Sequence, residues 1–243
     1  MNNEGQGTLL IVDDERSIRH SLRTILSTLG FQIIEAARGE EALALVRTAR
    51  VDAVLLDIDM PGIGGIAACR DIRRAFPGMP ILMLTVHGSE NHKIEAFDAG
   101  ADDYVTKPFQ LRELTARIRA AIRRTRSPEV GETVVVVGEI ALDSGRHEVL
   151  KKGRKVHLTP KQFELLQYLM EHAGGAVPHS KLLRSIWGPE YGNELEYLRT
   201  FIRQLRLKIE DDPGNPKYLL TDSHFGYRFA EPGPERLHSE ARD

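Results

Sequence analysis

The chain has 243 residues, of which 41% are hydrophobic and 28% are charged, with a formal net charge of -2 and a single cysteine, Cys69. This composition is typical of a soluble globular protein with one large or two ordinary domains, and it excludes an intrachain disulfide and a strongly basic surface throughout. No apolar run approaches the ~20 residues that a bilayer requires, and residues 1–7 lack the features of a signal peptide. We therefore expect a cytoplasmic protein without a membrane partner.

The first half of the chain alternates short apolar runs with amphipathic segments of helical length. The apolar runs predict five buried strands, at residues 8–12, 32–36, 53–56, 81–84 and 103–105. The helical segments begin near Glu15, Gly39, Gly64, Ser89 and Gln110. Five strand–helix units predict an α/β domain over residues 8–125, preceded by a flexible N-terminus at residues 1–7. Its sheet should be parallel, doubly wound and five-stranded, with helices on both faces.

The second half begins after a segment rich in charged residues, Ser, Pro and Gly at 126–133, which is typical of a linker. Residues 134–158 alternate β-rich runs with turns and predict a small antiparallel sheet. Three helical patterns and a closing hairpin follow up to residue 230, and Thr159 is the predicted N-cap of the first helix. The polar segment at 231–243 predicts a disordered tail.

Polar side chains follow four of the five strands of the predicted parallel sheet. Asp13 and Asp14 follow the first strand, Asp57 the third, Thr85 the fourth and Lys107 the fifth. Strand carboxyl ends share one edge of such a sheet, where ligands bind. Three carboxylates there repel one another unless a cation such as Mg2+ binds, and that ion would also hold phosphate oxygens. Taken singly, each acid is typical of a helix cap or a solvated loop. The combination instead indicates phosphoryl transfer onto a carboxylate, with Asp57 the best nucleophile and Lys107 and Thr85 contacting the phosphoryl group.

The motifs that carry these residues resemble the receiver domain of two-component response regulators over about residues 8–125. They are the acidic pair at 13–14, LLDIDMPGIGG around Asp57, MLT ending at Thr85, and GADDYVTKPF at 100–109. The resemblance implies that a sensor histidine kinase phosphorylates Asp57. It also implies a switch pair, in which the Thr85 hydroxyl moves toward the phosphate and the Tyr104 ring turns inward. The peptide bond before Pro108 is commonly cis in such domains.

The same resemblance implies how Mg2+ is bound. Asp14 and the backbone carbonyl of Asp59 would bind the ion directly beside Asp57, and Asp13 would assist through water. Asp59 and His87 depart from the apolar residue and the arginine common in the family at these positions. We expect the two departures to alter the lifetime of the phosphorylated state.

Charged residues at helical spacing between 93 and 124 are, on composition alone, typical of a solvated face. In response regulators of the OmpR/PhoB type, which the chain resembles, matching positions form intermolecular ion pairs across the fourth helix, fifth strand and fifth helix. The resemblance therefore implies a homodimer in the phosphorylated state. The predicted dimer residues are Lys93, Asp98, Asp102, Asp103, Glu113, Arg117, Arg119 and Arg124.

Residues 134–230 resemble the OmpR/PhoB winged helix-turn-helix domain through LTPKQFELLQYLM, SKLLRSIWG, YLRTFIRQLRLKIE and GYRF. The helix at 194–210 has an apolar stripe at three-and-four spacing and basic residues on its outer faces, a pattern suited to the DNA major groove. The hairpin turn at 224–226 is the predicted wing, although Ser223 stands where relatives often carry an arginine. The predicted DNA-binding residues are Tyr197, Arg199, Thr200, Arg203, Arg206, Lys208 and His224.

Together these features predict a transcription regulator rather than an enzyme, with double-stranded DNA carrying paired half-sites as its partner and RNA polymerase as a further candidate. The segment WGPEYGNELEYLRTFIRQLRLKIE is similar to regulators of the Kdp potassium-uptake operon. One alternative is a haloacid-dehalogenase-type phosphatase, whose Asp-x-Asp motif residues 57–59 imitate. That family places the motif on its first strand, whereas this chain has its acidic pair at the end of that strand. The other alternative is a regulator that needs no phosphorylation, which the complete pocket disfavours.

Overall fold

The computed structural model describes residues 6–86, 90–126, 134–189, 191–192 and 194–231. The predicted linker beyond residue 126, the predicted tail beyond residue 231, and residues 1–5 lie outside these ranges. Among the described residues, no helix is both long and apolar enough to span a membrane. The chain divides into two compact units, and both are assembled from separate segments. The first unit comprises Met1–Pro128, Leu158–Phe163 and Glu194–Phe201, and the second comprises Glu129–His157, Glu164–Asn193 and Ile202–Asp243.

The first unit is built on a five-stranded parallel sheet of order β2-β1-β3-β4-β5. Its strands are β1 (Gly7–Val12), β2 (Phe31–Ala36), β3 (Ala53–Asp57), β4 (Ile81–Thr85) and β5 (Asp103–Thr106). Its helices are α1 (Arg16–Thr28), α2 (Gly39–Thr48), α3 (Gly64–Ala75), α4 (Glu90–Asp98) and α5 (Leu111–Arg126). The predicted fold class is confirmed for this half, because all five strands occur in the predicted order and lie parallel.

Burial explains why the apolar runs form the centre of this sheet. Every residue of β3 and β4 is buried, as expected for strands covered by helices on both faces. One core cluster joins β1 and β3 to α5 through Leu9, Leu55, Leu114 and Ile118, each fully buried. The sheet order changes direction at β1, which lies between β2 and β3. The carboxyl ends of β1 and β3 therefore flank the crevice where open α/β sheets bind ligands.

The second half of the chain has antiparallel sheets, as predicted. A four-stranded sheet contains β6 (Val134–Val137), β7 (Ile140–Asp143), β8 (Glu148–Lys151) and β9 (Arg154–Val156) in sequence order. The helices are α6 (Pro160–Glu171), α7 (His179–Ile186) and α8 (Leu195–Ile209). A three-stranded sheet of order β10-β12-β11 contains β10 (Ala176–Pro178), β11 (Leu219–Asp222) and β12 (Gly226–Phe229).

The start of α6 was predicted correctly from the sequence, whereas strand β10 was not predicted. Thr159 caps α6 as predicted, because its Oγ1 accepts a hydrogen bond from the backbone N–H of Gln162 at 3.3 Å. The Gln162 side chain accepts one in return from the Thr159 N–H at 3.1 Å, which completes a capping box. Strand β10 was not predicted, because three residues ending in a proline are too short to show a period of two.

Glu210, at the end of α8, fixes the chain that leads into β11. This residue is only 5% exposed. Its carboxylate accepts three hydrogen bonds of 2.8–2.9 Å, from the backbone N–H groups of Lys217, Tyr218 and Leu219. We expect Glu210→Ala to lower the free energy of unfolding of the second unit by about 3 kcal/mol, because an unsatisfied buried donor costs about 1–3 kcal/mol and the variant leaves one buried donor, at Leu219, and two part-buried donors without their partner. Urea unfolding followed by the fluorescence of the buried Trp187 measures this loss.

The control for Glu210 is Glu171→Ala, which removes an exposed carboxylate at the end of α6 that accepts a hydrogen bond from the Gln167 side chain. Its effect should stay within about 0.5 kcal/mol. Equal losses in the two variants would show that the three backbone hydrogen bonds do not stabilise the unit.

Candidate functional site

Three carboxylates meet at the carboxyl edge of the parallel sheet. Ligand oxygens of Asp13, Asp14 and Asp57 all lie within 4.8 Å of one another. Asp57 is the last residue of β3, and the acidic pair follows β1, so the strand ends bring them together. Asp13 and Asp57 are 1% and 3% exposed, whereas Asp14 is exposed. A cluster with only oxygen donors and one solvent-facing side suits a hard divalent cation with open coordination positions. The cluster could therefore bind a metal ion.

Lys107 is the cation that the protein itself supplies to this cluster. Its Nζ donates hydrogen bonds of 2.7 Å to Asp13 Oδ2 and to Asp57 Oδ1. Burial raises the pKa of Asp57, although Lys107 acts against this shift. Burial also acts to lower the pKa of Lys107, but the hydrogen bonds to both carboxylates outweigh it and raise the pKa overall. The lysine is therefore a fixed positive charge at neutral pH, held directly against the carboxylate of Asp57.

Thr85 and Lys107 are joined through the backbone. The Lys107 N–H donates a 2.7 Å hydrogen bond to the carbonyl of Thr85, and Thr85 is fully buried. The peptide bond between Lys107 and Pro108 is cis, as predicted. The structure thus brings together the acidic residues, Thr85 and Lys107 at one edge of the sheet. Of the two departures from the family pattern, Asp59 acts to raise the pKa of Asp57, and His87 lies outside the described residues.

Two residues that shape this site were not predicted from the sequence. Gly65 lets α3 approach β3, because a Cβ at this position would lie 1.9 Å from the backbone oxygen of Asp57. Arg19 Nη1 donates hydrogen bonds to the carbonyl oxygens of Asp13, at 2.6 Å, and Asp14, at 3.1 Å. The signal for Arg19 in the sequence was a basic residue near the start of the predicted helix that follows the acidic pair. Glycine spacing alone gives no signal for Gly65.

The predicted dimer residues at the start of β5 and on α5 have partners within the chain. Arg117 Nη1 contacts both carboxylate oxygens of Asp103, at 2.9 and 3.2 Å, and Arg117 Nη2 donates to Glu113 at 2.8 Å. Asp102 pairs with Arg73 at 2.7 Å and accepts a hydrogen bond from the Ile81 N–H. Because Asp102 is 3% exposed, we correct its prediction as a dimer-face charge: it stabilises the fold of the first unit.

Among the other predicted dimer residues, Lys93 and Arg119 contact side chains of the same chain. The Lys93 Nζ lies 4.4 Å from the centre of the Tyr104 ring, within the range of a cation–π interaction. Arg119 Nε donates to the side chain of Gln6 at 3.2 Å. Asp98 ends α4, and the side chain of Arg124 lies outside the described residues.

Tyr104 belongs to an aromatic cluster inside the first unit. Its hydroxyl lies 2.7 Å from the hydroxyl of Tyr197, and the two rings meet edge to face with centroids 5.5 Å apart. The Phe97 ring lies 5.9 Å from Tyr104, 5.2 Å from Tyr197 and 5.1 Å from Phe201. The predicted switch tyrosine is therefore held by a residue from the first turn of α8.

This cluster corrects part of the predicted DNA-binding face. Tyr197 and Thr200 are 5% and 6% exposed, and Thr200 Oγ1 donates to the Glu196 carbonyl, so neither is available to DNA in this conformation. Arg206 donates hydrogen bonds to the Leu219 carbonyl at 2.8 and 3.0 Å and to Thr221 Oγ1 at 2.7 Å. Its guanidinium is therefore bonded to β11 and does not extend from α8 as predicted.

Other predicted DNA contacts lie on the surface. Arg199 and Arg203 are exposed, and Arg199 forms an ion pair with Glu196 one turn earlier. Lys208 is half-buried and donates to the His157 carbonyl at 2.7 Å. His224 is exposed in the hairpin turn between β11 and β12 with a φ of 65°, which fits the predicted wing.

Comparison with known proteins agrees with this arrangement. Residues 9–119 match the family described as response regulator receiver domain, and residues 153–229 match transcriptional regulatory protein, C terminal. The chain is 41% identical to the transcriptional regulatory protein KdpE of Mycobacterium tuberculosis over 222 residues, covering 91% of this chain and 98% of the relative. It is 37% identical to the KDP operon transcriptional regulatory protein KdpE of Escherichia coli over 221 residues, with the same coverage.

The solved structure of a RitR mutant is similar in fold, with a TM-score of 0.73 and 24% identity over 93% of this chain and 99% of that chain. The chain belongs to the OmpR/PhoB-type two-component response regulators and is similar to KdpE proteins. It is therefore a transcription regulator with a receiver and a winged helix-turn-helix domain, which imply a histidine kinase and DNA as partners, and not an enzyme of the phosphatase class.

Proposed function

We propose that a sensor histidine kinase transfers a phosphoryl group to Asp57, and that this modification promotes dimerisation and sequence-specific DNA binding. The observation that carries the proposal is the convergence of three carboxylates with Lys107, whose Nζ lies 2.7 Å from Asp57 Oδ1. A carboxylate oxygen of Asp57 would attack phosphorus, so that a P–O bond forms while the P–N bond to the kinase imidazole breaks. Lys107 would then stabilise the charge on the phosphoryl oxygens.

The donor set fits Mg2+, with Asp13, Asp14, Asp57 and the backbone carbonyl of Asp59 as the residues that would hold it. When bound, the ion would offset the charges of the carboxylates and of the incoming phosphoryl group. Asp13 and Asp57 would be held in place by Lys107 throughout. The receiver would thus assist both its own phosphorylation and its dephosphorylation, at a rate that Asp59 and His87 influence.

Dimerisation is proposed through α4, β5 and α5 of the receiver. Lys93, Arg119 and Glu113, whose side chain is 42% exposed, are candidates for intermolecular ion pairs on this face, together with Asp98 and Arg124. The buried pair of Arg117 and Asp103 would support the face from within.

Thr85 and Tyr104 are the proposed link from Asp57 to this surface. Movement of Thr85 toward a phosphoryl group would open space for the Tyr104 ring to turn inward. That turn would break the 2.7 Å contact between the Tyr104 and Tyr197 hydroxyls and loosen the cluster that buries the start of α8. The first turn of α8 would then be released from this cluster, and the exposed basic residues of the helix would be free to reach DNA. Phosphorylation would thus act on α8 through a contact that exists before phosphorylation.

The proposed DNA-binding surface consists of exposed basic residues on α8 and the turn of the closing hairpin. Arg199 and Arg203 would enter the major groove or clamp phosphates, and His224 would contact the adjacent minor groove or backbone. Two copies of the chain imply paired half-sites. Because the chain is similar to KdpE proteins, we infer that it controls transcription of a Kdp potassium-transport operon. It would act in the cytoplasm, with RNA polymerase as a further partner.

Sedimentation velocity of the full-length chain tests the proposal. With Mg2+ and beryllium fluoride, a phosphoryl mimic, we expect the chain to change from monomer to dimer, and we expect Asp57→Ala to remain monomeric. If the wild-type chain keeps one mass in both states, phosphorylation-dependent dimerisation is wrong.

The Tyr197 hydroxyl provides a separate prediction. Tyr197→Phe keeps the ring but removes the bond to Tyr104, which is worth about 1 kcal/mol. We therefore expect the unphosphorylated variant to bind operator DNA about fivefold more tightly than wild type does, as measured by fluorescence anisotropy. Tyr168→Phe is the control, because Tyr168 stacks on His172 outside this cluster, and it should leave the affinity unchanged. A Tyr197→Phe affinity equal to that of wild type would exclude the contact as a restraint.

A further inference from the structure

The acidic pair lies in the short loop between β1 and α1, and Arg19 holds the backbone of that loop. Its Nη1 bonds to the carbonyl oxygens of Asp13 and Asp14, at 2.6 and 3.1 Å, and its side chain is only 15% exposed. The Glu15 N–H fixes one carboxylate by donating to Asp13 Oδ1 at 2.9 Å. The backbone carbonyls of both candidate metal ligands in this loop are therefore bonded to one guanidinium group.

Arg19 is itself held from the neighbouring strand. Its Nε lies 4.0 Å from Glu35 on β2, and the Nε of Arg23 lies 3.4 Å from the same carboxylate. The side chains of Arg23 and Glu35 are 52% and 30% exposed, so both are more exposed to solvent than the side chain of Arg19. A planar guanidinium with several donors can bond to two carbonyls and face a carboxylate together, whereas an ammonium group is a compact charge on a flexible stem.

We infer that Arg19 is a positioning residue for the metal site, an inference that rests on the proposed binding of Mg2+ at Asp13, Asp14 and Asp57. Three converging carboxylates repel one another, and two of the three stand on a loop that could relieve the repulsion by opening. The hydrogen bonds from Arg19 oppose this movement and keep the ligand oxygens within 4.8 Å of one another. Arg19 does not touch the ion; it acts through the backbone, as residues behind the ligands of a metal commonly do.

The test is the Kd of Mg2+ for the full-length chain, measured by isothermal titration calorimetry without any phosphoryl donor. We expect Arg19→Gln to weaken binding about tenfold, the lower end of the effect of losing a residue that orients metal ligands. Arg23→Gln is the matched control, because Arg23 contacts Glu35 without contacting the loop, and its Kd should equal that of wild type. A Kd unchanged in Arg19→Gln would overturn the inference.

Arg19→Lys separates position from charge. The lysine keeps the positive charge but loses the planar group that bonds to the loop through Nη1 while its Nε faces Glu35, so we expect its Kd to remain weakened. Full wild-type affinity would show that the planar guanidinium is not needed and would overturn the positioning role. Arg19→Lys also serves if Arg19→Gln does not fold, as judged by circular dichroism. A wild-type chain that binds no Mg2+ would instead contradict the proposed metal site, which distinguishes the two failures.

Discussion

Asp57→Asn is expected to take up no phosphoryl group from acetyl phosphate in the presence of Mg2+, whereas the wild-type chain gains one. The amide that replaces the carboxylate is not a nucleophile, and no other described carboxylate is both bonded to Lys107 and at the end of the central strand β3. Intact-mass spectrometry detects the added group without knowledge of the kinase.

Asp59→Asn is the matched control for this experiment. It removes a negative charge two residues away but keeps the backbone carbonyl that is proposed to bind Mg2+. We expect it to be phosphorylated, with a changed lifetime of the phosphorylated form. Phosphorylation of Asp57→Asn to the wild-type extent, or loss of phosphorylation in Asp59→Asn alone, would place the acceptor elsewhere.

Gly65→Ala is expected to destabilise the receiver by about 3 kcal/mol or more, because steric overlap in a packed interior commonly costs about 1–3 kcal/mol and here involves backbone. The added Cβ would lie 1.9 Å from the Asp57 oxygen and 2.7 Å from the Ile58 Cα. Neither atom can move away without shifting the end of β3. We therefore expect the variant to lose Mg2+ affinity as well as thermal stability, and calorimetric unfolding and Mg2+ titration measure the two effects.

Gly78→Ala shows what a harmless glycine substitution does in the same domain. A Cβ at Gly78 would meet no described atom within 4 Å, so its effect should stay within about 0.5 kcal/mol. If Gly65→Ala proved as stable as Gly78→Ala, the close approach of α3 to Asp57 would not constrain the site.

The parts of the fold that could be predicted from the sequence depend on short-range patterns. The buried runs of β3 and β4 are apolar throughout, and polar residues mark the strand ends. Parallel order then brings Asp13, Asp57 and Lys107 together. The candidate site could be predicted from the sequence because the carboxyl edge of a parallel sheet brings together residues that lie far apart in the chain.

The partners of charged side chains could not be predicted, because the sequence gives spacing and not direction. Arg117 turns toward Asp103 within the chain, and Asp102 turns into the interior toward Arg73. Likewise, the helical pattern of α8 placed Thr200 outward, but the residue is buried. These corrections depend on long-range packing, which no local pattern records.

Fluorescence anisotropy with a DNA fragment from upstream of a Kdp operon tests the central claim most directly. The full-length chain is titrated with and without Mg2+ and beryllium fluoride, and the titrations are repeated with Asp57→Asn. We predict that the phosphoryl mimic tightens the apparent Kd of the wild-type chain by about tenfold or more, within the usual range of coupling between two sites, and leaves that of Asp57→Asn unchanged. Equal affinity in both wild-type states, or an equal gain in Asp57→Asn, would contradict control of DNA binding through Asp57.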